Sequence, residues 1–241
     1  MRLLYLVPGS TGPGFEESII ERRRDILQEM ASAGTVIEAK ASGTGPLSIE
    51  SMYDEYAVIP GAIEAIIRAE KEGIDGVIMG CAGDPGVDGA REVVSIPVVG
   101  PAQASFAIAS ILGRRFSIVT PVDQTIGTSI DLAVKCGYRE SLASVRSAGI
   151  TVLDINKDPD IAAKRSLEAA RKARDEDGAD CIVLGCMSLA FAGFDKEASK
   201  ELGIPVINPA MASLKVLETL VAMGISQSKR AYPMPTSMLR I

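Results

Sequence analysis

A chain of 241 residues with 47% apolar side chains can bury a sizeable core, but without tryptophan and with 4% aromatics that core must be Ile, Val, Leu and Ala, as in strands buried on both faces. A net charge of −6 argues against a nucleic-acid partner, and with neither a ~20-residue apolar run nor a cleavable leader the expectation is no membrane and a cytoplasmic location. The lack of histidine removes Ser-His-Asp and Cys-His catalysis, histidine-ligated metals and imidazole proton shuttles, leaving Cys, carboxylates, Lys, Tyr and backbone dipoles.

Leu3 to Val7 is an apolar run of strand length ended by Pro8-Gly9-Ser10-Thr11-Gly12-Pro13-Gly14. A helical pattern follows, with Ile19, Ile20, Ile26, Leu27 and Met30 on one face and Glu16, Glu17, Arg23 and Arg24 elsewhere. Gly9 and Gly14 have phosphate-loop spacing, but Phe15 and Glu16 stand where Lys and Ser/Thr are needed. Gly9, Ser10 and Thr11 read better as a polar loop at the carboxyl end of a strand, lining a cleft.

Thr35 to Ala39 reads as a second strand, and Tyr53 to Glu72 as a helix that kinks or divides at Pro60-Gly61. The strand Gly76 to Met79 leads into Gly80-Cys81 and a turn at Asp84-Pro85-Gly86, with Asp84 expected to cap the helix Val87 to Val94. Pro97 to Val99 is a short strand, and Pro101 opens a helix to about Leu112.

Phe116 to Pro121 repeats the length and ending of the first strand. The region from Ile130 to Ala143 reads as helical and carries Cys136. Ile150 to Asp154 reads as a strand, because Ser147-Ala148-Gly149 precedes it as Ser32-Ala33-Gly34 precedes Thr35. Asp158-Pro159 suits the start of a helix to about Asp175. The strand Cys181 to Leu184 leads into Gly185-Cys186, followed by a loop and helix, a strand at Pro205 to Ile207, a helix from Pro209 to about Met223, and an irregular tail from Ser226.

The chain thus repeats itself. Gly80-Cys81 and Gly185-Cys186 each close an apolar run after an acidic helical stretch, 105 residues apart, and Ile96-Pro97-Val98-Val99 is echoed by Ile204-Pro205-Val206-Ile207, 108 residues apart. A period this long means two similar half-folds rather than a solenoid. Alternating strands and helices make the class α/β with parallel sheets, in two pseudo-symmetric half-domains, 1–112 and 113–208, with the active site in the cleft between them. Whether the segment 209–241 packs back onto the first half is left open.

Cys81 and Cys186 fall where a parallel strand ends, the place where open α/β sheets hold ligands. Backbone N–H groups there are expected to lower a thiol pKa and favour an anionic substrate. Ser10, Thr11, Thr120, Thr125 and Ser188 are loop hydroxyls able to bond a substrate carbonyl or carboxylate. Gly83 and the amides after each cysteine, those of Ala82 and Met187, are candidate donors to an enolate. Cys136 and Cys181 have no counterpart in the other half and read as packing residues. Cys181 and Cys186 stand at opposite ends of one strand, roughly 16 Å apart, too far to share a zinc ion, and no metal is expected.

These residues resemble the aspartate/glutamate racemase superfamily, most closely its hydantoin racemase branch. The resemblance runs through Gly45-Pro46-Leu47-Ser48-Ile49-Glu50-Ser51 with Tyr53-Asp54-Glu55, Cys81 with Gly83-Asp84-Pro85-Gly86 and Ala90-Arg91-Glu92, Ile96 to Gly100, Arg115 to Thr120, and Val183-Leu184-Gly185-Cys186. It implies an interdomain active site, no cofactor, and racemisation by two cysteines, one taking a proton as thiolate and the other returning one to the opposite face. Carried over, the pair is Cys81 and Cys186. It further implies a small-molecule substrate, a hydantoin or small carbonyl acid, and a homo-oligomer. The chain departs from the branch at Val7-Pro8-Gly9-Ser10-Thr11, where an Asn-Pro-Asn-Thr-like loop is usual, and at the bulky Met187, which bears on the substrate. Amino-acid racemisation, maleate isomerisation and non-catalytic binding of a small anion are the alternatives. Related decarboxylases keep only the second cysteine.

Overall fold

The computed structural model describes residues 1–236. In chain order the elements are β1 (Arg2–Val7), α1 (Glu17–Met30), β2 (Val36–Ala41), α2 (Met52–Lys71), β3 (Gly76–Met79), α3 (Val87–Val93), β4 (Val98–Val99), α4 (Pro101–Leu112), β5 (Phe116–Thr120), α5 (Thr125–Lys135), β6 (Leu142–Ser147), α6 (Val152–Lys157), α7 (Pro159–Asp177), β7 (Cys181–Leu184), α8 (Met187–Phe191), α9 (Asp195–Leu202), β8 (Val206–Ile207) and α10 (Pro209–Ala222).

Two parallel four-stranded sheets have the same order, β2-β1-β3-β4 and β6-β5-β7-β8, so the α/β class and the internal repeat both hold. The correspondence reaches single bonds. Asp75 N–H donates to Arg2 O at 2.8 Å and Asp180 N–H to Arg115 O at 2.9 Å; Gly80 N–H donates to Leu6 O at 2.7 Å and Gly185 N–H to Val119 O at 2.8 Å.

The central strands β1, β3, β5 and β7 are buried along their length apart from Arg2, and mostly apolar, because helices cover both faces of each sheet. One cluster, between the sheets, joins Leu3, Tyr5 and Phe106 from the first half to Phe116, Val183 and Phe191 from the second. Phe106 stacks on Phe116 with centroids 5.1 Å apart, and Tyr5 meets Phe191 edge-on at 5.6 Å. Separate clusters fill the outer faces, one under α2 and α3, the other under α6, α7 and α9.

The last long helix, α10, lies against α1, α4, β3 and β4 of the first half and against α8 of the second. Buried Glu218 ties it to the first half, accepting from Ser32 N–H at 2.7 Å, Ser32 Oγ at 2.8 Å and Thr35 Oγ1 at 2.8 Å. The irregular tail continues there, with Gln227 Nε2 donating to Val94 O and Ile96 O, both at 2.9 Å. The last five residues of the 209–241 segment lie outside the described residues.

Three sequence expectations are corrected. The strand expected at Ile150 to Asp154 is the start of helix α6, whose N-cap Thr151 accepts from Asp154 N–H. The strand of that region is β6, within and beyond the stretch read as helix, so Ser147-Ala148-Gly149 follows a strand instead of preceding one. β6 is an edge strand with largely half-buried residues, and its sequence Leu-Ala-Ser-Val-Arg-Ser lacks the apolar continuity of the central strands. Of the kink or division expected at Pro60-Gly61, the division is absent, and helix α2 runs through both residues. Gly61 is the contact point for the preceding loop, since a Cβ there would collide with the Thr44 hydroxyl. Finally, Asp84 does not cap α3; its carboxylate reaches α4 and accepts from Ala102 N–H and Gln103 N–H, both at 2.9 Å.

Candidate active site

Each Gly-Cys pair has a steric origin. A Cβ at Gly80 would lie 2.6 Å from Leu6 O and 3.0 Å from the Tyr5 ring, and one at Gly185 would lie 2.7 Å from Ile118 Cγ2. Glycine therefore lets the chain leave β3 or β7 tight against its neighbouring strand, and the next residue, a cysteine, falls at the sheet's carboxyl end. Behind Cys81, Asp84 N–H donates to Cys81 O at 3.1 Å, and Asp84 adopts a left-handed φ of 51°.

Both thiols line one cleft between the halves, with about 700 Å³ of open space including its solvent-facing mouth. Of the residues singled out in the sequence, Ala82, Gly83, Thr120, Thr125, Met187 and Ser188 line it too. Gly9, Ser10 and Thr11 do not. Gly9 N–H donates to Ser42 Oγ at 2.9 Å, Ser10 N–H to Pro46 O at 3.2 Å and Thr11 Oγ1 to Glu17 Oε1 at 3.1 Å, so these groups fasten the loop, while Val7 and Pro8 face the cleft. The apolar wall is Phe15, Leu47, Ile49 and Val152.

The hydroxyl pair has a defined direction. Thr125 Oγ1 donates to Val122 O at 2.8 Å, so in the 2.5 Å contact between Thr120 Oγ1 and Thr125 Oγ1 it is Thr120 that donates. With both protons committed, these oxygens have lone pairs to offer and can accept from a ligand N–H. Ala82 lines the cleft, and its N–H has no backbone partner among the described residues.

The expectation of lowered thiol pKa values is overturned, because desolvation outweighs the backbone donors. Burial pushes Cys81 far up; the Gly83 amide, 3.5 Å from its sulfur, offsets part of this, and Glu55, Cys186 and Asp84 add to the rise. Burial also raises Cys186, but there the amides of Leu189 and Ser188, the Arg23 guanidinium and the Ser188 hydroxyl all pull downward. Burial, with help from Asp84, lifts Glu55 to about 7. Asp84 itself is lifted by burial to about 6, against the pull of the Gln103 and Ala102 amides.

Arg23 and Glu55 line the cleft and were missed as site residues. Arg23 was assigned to the polar side of α1, yet it falls three residues after Ile20 and four before Leu27, the other two buried residues of that helix, so the periodicity alone could have marked it. Glu55 resembles an ordinary acidic residue of a first helical turn, and nothing in its spacing sets it apart.

Among the described residues, no group of three or more His, Cys, Asp or Glu could hold a metal ion, and no helix is long and apolar enough to cross a membrane.

The model of the Asp/Glu/Hydantoin racemase family matches residues 13–217, so the chain belongs to that family and, with it, to the isomerases. It is similar to the hydantoin racemase of Pseudomonas sp. (strain NS671), 40% identical over 85% of this chain and 82% of that one. The hydantoin racemase of Paenarthrobacter aurescens is 36% identical over 98% of both chains. Among solved structures, the allantoin racemase from Klebsiella pneumoniae superposes with a TM-score of 0.89 at 31% identity, covering 98% of this chain and 94% of that one.

Proposed function

We propose that the protein inverts the C5 stereocentre of a 5-monosubstituted hydantoin by proton transfer between Cys81 and Cys186. The observation that carries this reading is that the two thiols line one cleft from equivalent positions of two like sheets. One cysteine, as thiolate, takes the C5 proton and becomes a thiol. The electron pair left at C5 delocalises onto the adjacent carbonyl oxygen, where the Ala82 amide is a suitable donor. The other cysteine gives its S–H proton to the opposite face of C5 and becomes the thiolate, so charge and protons balance and the stereocentre is inverted. Proton exchange with water restores the starting pair. A positioned acid or base typically contributes about 10²- to 10⁴-fold.

Two further features favour a hydantoin ring. Thr120 and Thr125 offer acceptors matched to ring N–H groups. The wall of Phe15, Leu47, Ile49 and Val152 suits an apolar 5-substituent better than the polar ureido group of allantoin.

The test is polarimetry with enantiopure 5-benzyl- and 5-isopropylhydantoin, allantoin, aspartate and glutamate, each against an enzyme-free control. Loss of rotation well above the control for the alkyl and benzyl hydantoins, exceeding that for allantoin, is expected. Racemisation of an amino acid with no effect on any hydantoin would replace the substrate class. Inertness towards all five compounds would favour the non-catalytic reading.

A further inference from the structure

Arg23 is a charge in the cleft that the proton-transfer scheme does not use. It is 3% exposed, held between the rings of Phe15 and Phe191 at 4.8 and 5.0 Å. Its hydrogen bonds all go to neutral oxygens: Tyr5 Oη at 3.3 Å, Asn156 Oδ1 at 3.3 Å and Ser188 Oγ at 2.6 Å. No carboxylate of the described residues forms an ion pair with it. A buried cation with no counter-ion is strongly unfavourable, so the site calls for an anion in at least one working state.

The shortest of these bonds indicates where that anion sits. Ser188 Oγ accepts from Arg23 in the first turn of α8, the helix whose N-cap is Cys186, and the Ser188 hydroxyl, with the amides of Ser188 and Leu189, pulls the Cys186 thiol downward. Cys81 has the opposite surroundings. Glu55 and Asp84 flank it, and a Cβ placed on Gly83 would meet both the Glu55 carboxyl and, at 3.7 Å, Cys81 Sγ. The groups facing Cys186 are Arg23 from α1, Tyr5 from β1, Cys81 from the turn after β3 and the neutral Ser188 of α8; α6 adds the neutral Asn156, and Glu55 of α2 stands on the Cys81 side.

We propose that Arg23 is a positioning residue that acts through Ser188 to make Cys186, rather than Cys81, the thiol that ionises first in the substrate-free enzyme, leaving Cys81 as the proton donor. This rests on the two-cysteine reading above and adds a polarity to it: the resting enzyme deprotonates from the Cys186 side and protonates from the Cys81 side. The enantiomer that presents its C5 proton to Cys186 enters directly, whereas the other must wait for the thiol and thiolate to exchange roles.

The test is the pH dependence of iodoacetamide alkylation at each cysteine, followed by peptide mass spectrometry on the substrate-free protein, for wild type, Arg23→Gln, Arg23→Lys and Ser188→Ala. The midpoint for each cysteine is compared, because midpoints report thiolate formation whereas plateau rates report access. In the wild type the Cys186 midpoint is expected below that of Cys81. Arg23→Gln should raise it by a unit or more, slowing Cys186 alkylation about tenfold at neutral pH while the Cys81 midpoint stays put. Arg23→Lys, which keeps the charge, should restore most of the shift. If Arg23→Gln does not fold, Ser188→Ala carries the test by raising the Cys186 midpoint. A Cys81 midpoint below that of Cys186, or a Cys186 midpoint unmoved in Ser188→Ala and in any folded Arg23→Gln, overturns the inference. Because no substrate is needed, shifted midpoints without hydantoin racemisation would sink the proposed substrate and leave the role of Arg23 standing. Racemisation with unshifted midpoints would do the reverse.

Discussion

Arg23 and Ser188 come from opposite halves of the chain, yet the guanidinium of one lies 2.6 Å from the hydroxyl of the other. Both residues line the cleft, and Arg23 and Ser188 stand near Cys186 where Glu55 and Asp84 stand near Cys81, although both cysteines end equivalent strands. The sheets repeat one another, but the charges around the two thiols do not.

Activity should rise with pH across the neutral range. Burial holds both thiols above their ordinary pKa, so the thiolate is the scarce species near pH 7 and grows as pH increases. Initial rates with each enantiomer between pH 6 and 9 check this. Interconversion of enantiomers has an equilibrium constant of one, so kcat/KM must match for the two at every pH while kcat and KM separately differ.

Glu55→Gln should stabilise the protein at alkaline pH. The folded-state pKa of about 7 is above the ordinary carboxyl value of 4.5, so the stability linked to this group is fully present below 4.5 and is lost as pH rises through about 7. The amide variant removes that loss. Thermal melts should match wild type at pH 5 and exceed it at pH 8.5 by on the order of 1 kcal/mol, discounted because the carboxyl faces an open cleft.

Glu218 has the opposite sign. Burial alone would raise its carboxyl, but Lys215, Ser32 and Thr35 outweigh that and bring it to about 2, so the stability it lends is present above 4.5 and fades as pH falls towards 2. Glu218→Gln should cost about 2 kcal/mol at pH 7 and roughly a quarter of that at pH 2.5, measured by urea unfolding.

Gly100→Ala tests the support of Cys81. A Cβ at Gly100 would collide with the Asp84 carboxyl, which holds the first amides of α4 while the Asp84 backbone closes the Cys81 turn. The second half needs no such arrangement, because Asn208 caps α10 with its own side chain, accepting from Ala210 N–H at 3.0 Å. The substitution should cost about 1–3 kcal/mol and lower kcat/KM at least about tenfold, with Ala222→Gly as a control for general destabilisation.

Much of the framework was legible in the sequence because the central strands are buried on both faces. Leu3 to Val7, Gly76 to Met79, Phe116 to Thr120 and Cys181 to Leu184 are buried throughout and apolar apart from Ser117 and Thr120, and the repeat of Gly-Cys after two of them pointed to the candidate site. The edge strand β6 was hidden because its residues are half solvated and their pattern is mixed. Asp84 was assigned to the nearer helix because sequence proximity cannot reveal that Gly100 leaves a gap for its carboxyl. Arg23 was read by its charge rather than by its place in the Ile20, Arg23, Leu27 series, so the residue that bridges the halves was left off the apolar face.

The most direct measurement is deuterium incorporation at C5 of each enantiopure 5-benzylhydantoin in D₂O, followed by proton NMR and chiral chromatography with wild type, Cys81→Ala and Cys186→Ala, all against an enzyme-free control. Two-cysteine transfer requires the wild type to give inverted product carrying deuterium, and each variant to lose inversion. A variant that keeps the base for one face should still exchange the C5 proton of one enantiomer, Cys81→Ala and Cys186→Ala acting on opposite hands. Inversion that persists in either variant, or exchange of both enantiomers by a single variant, would contradict it.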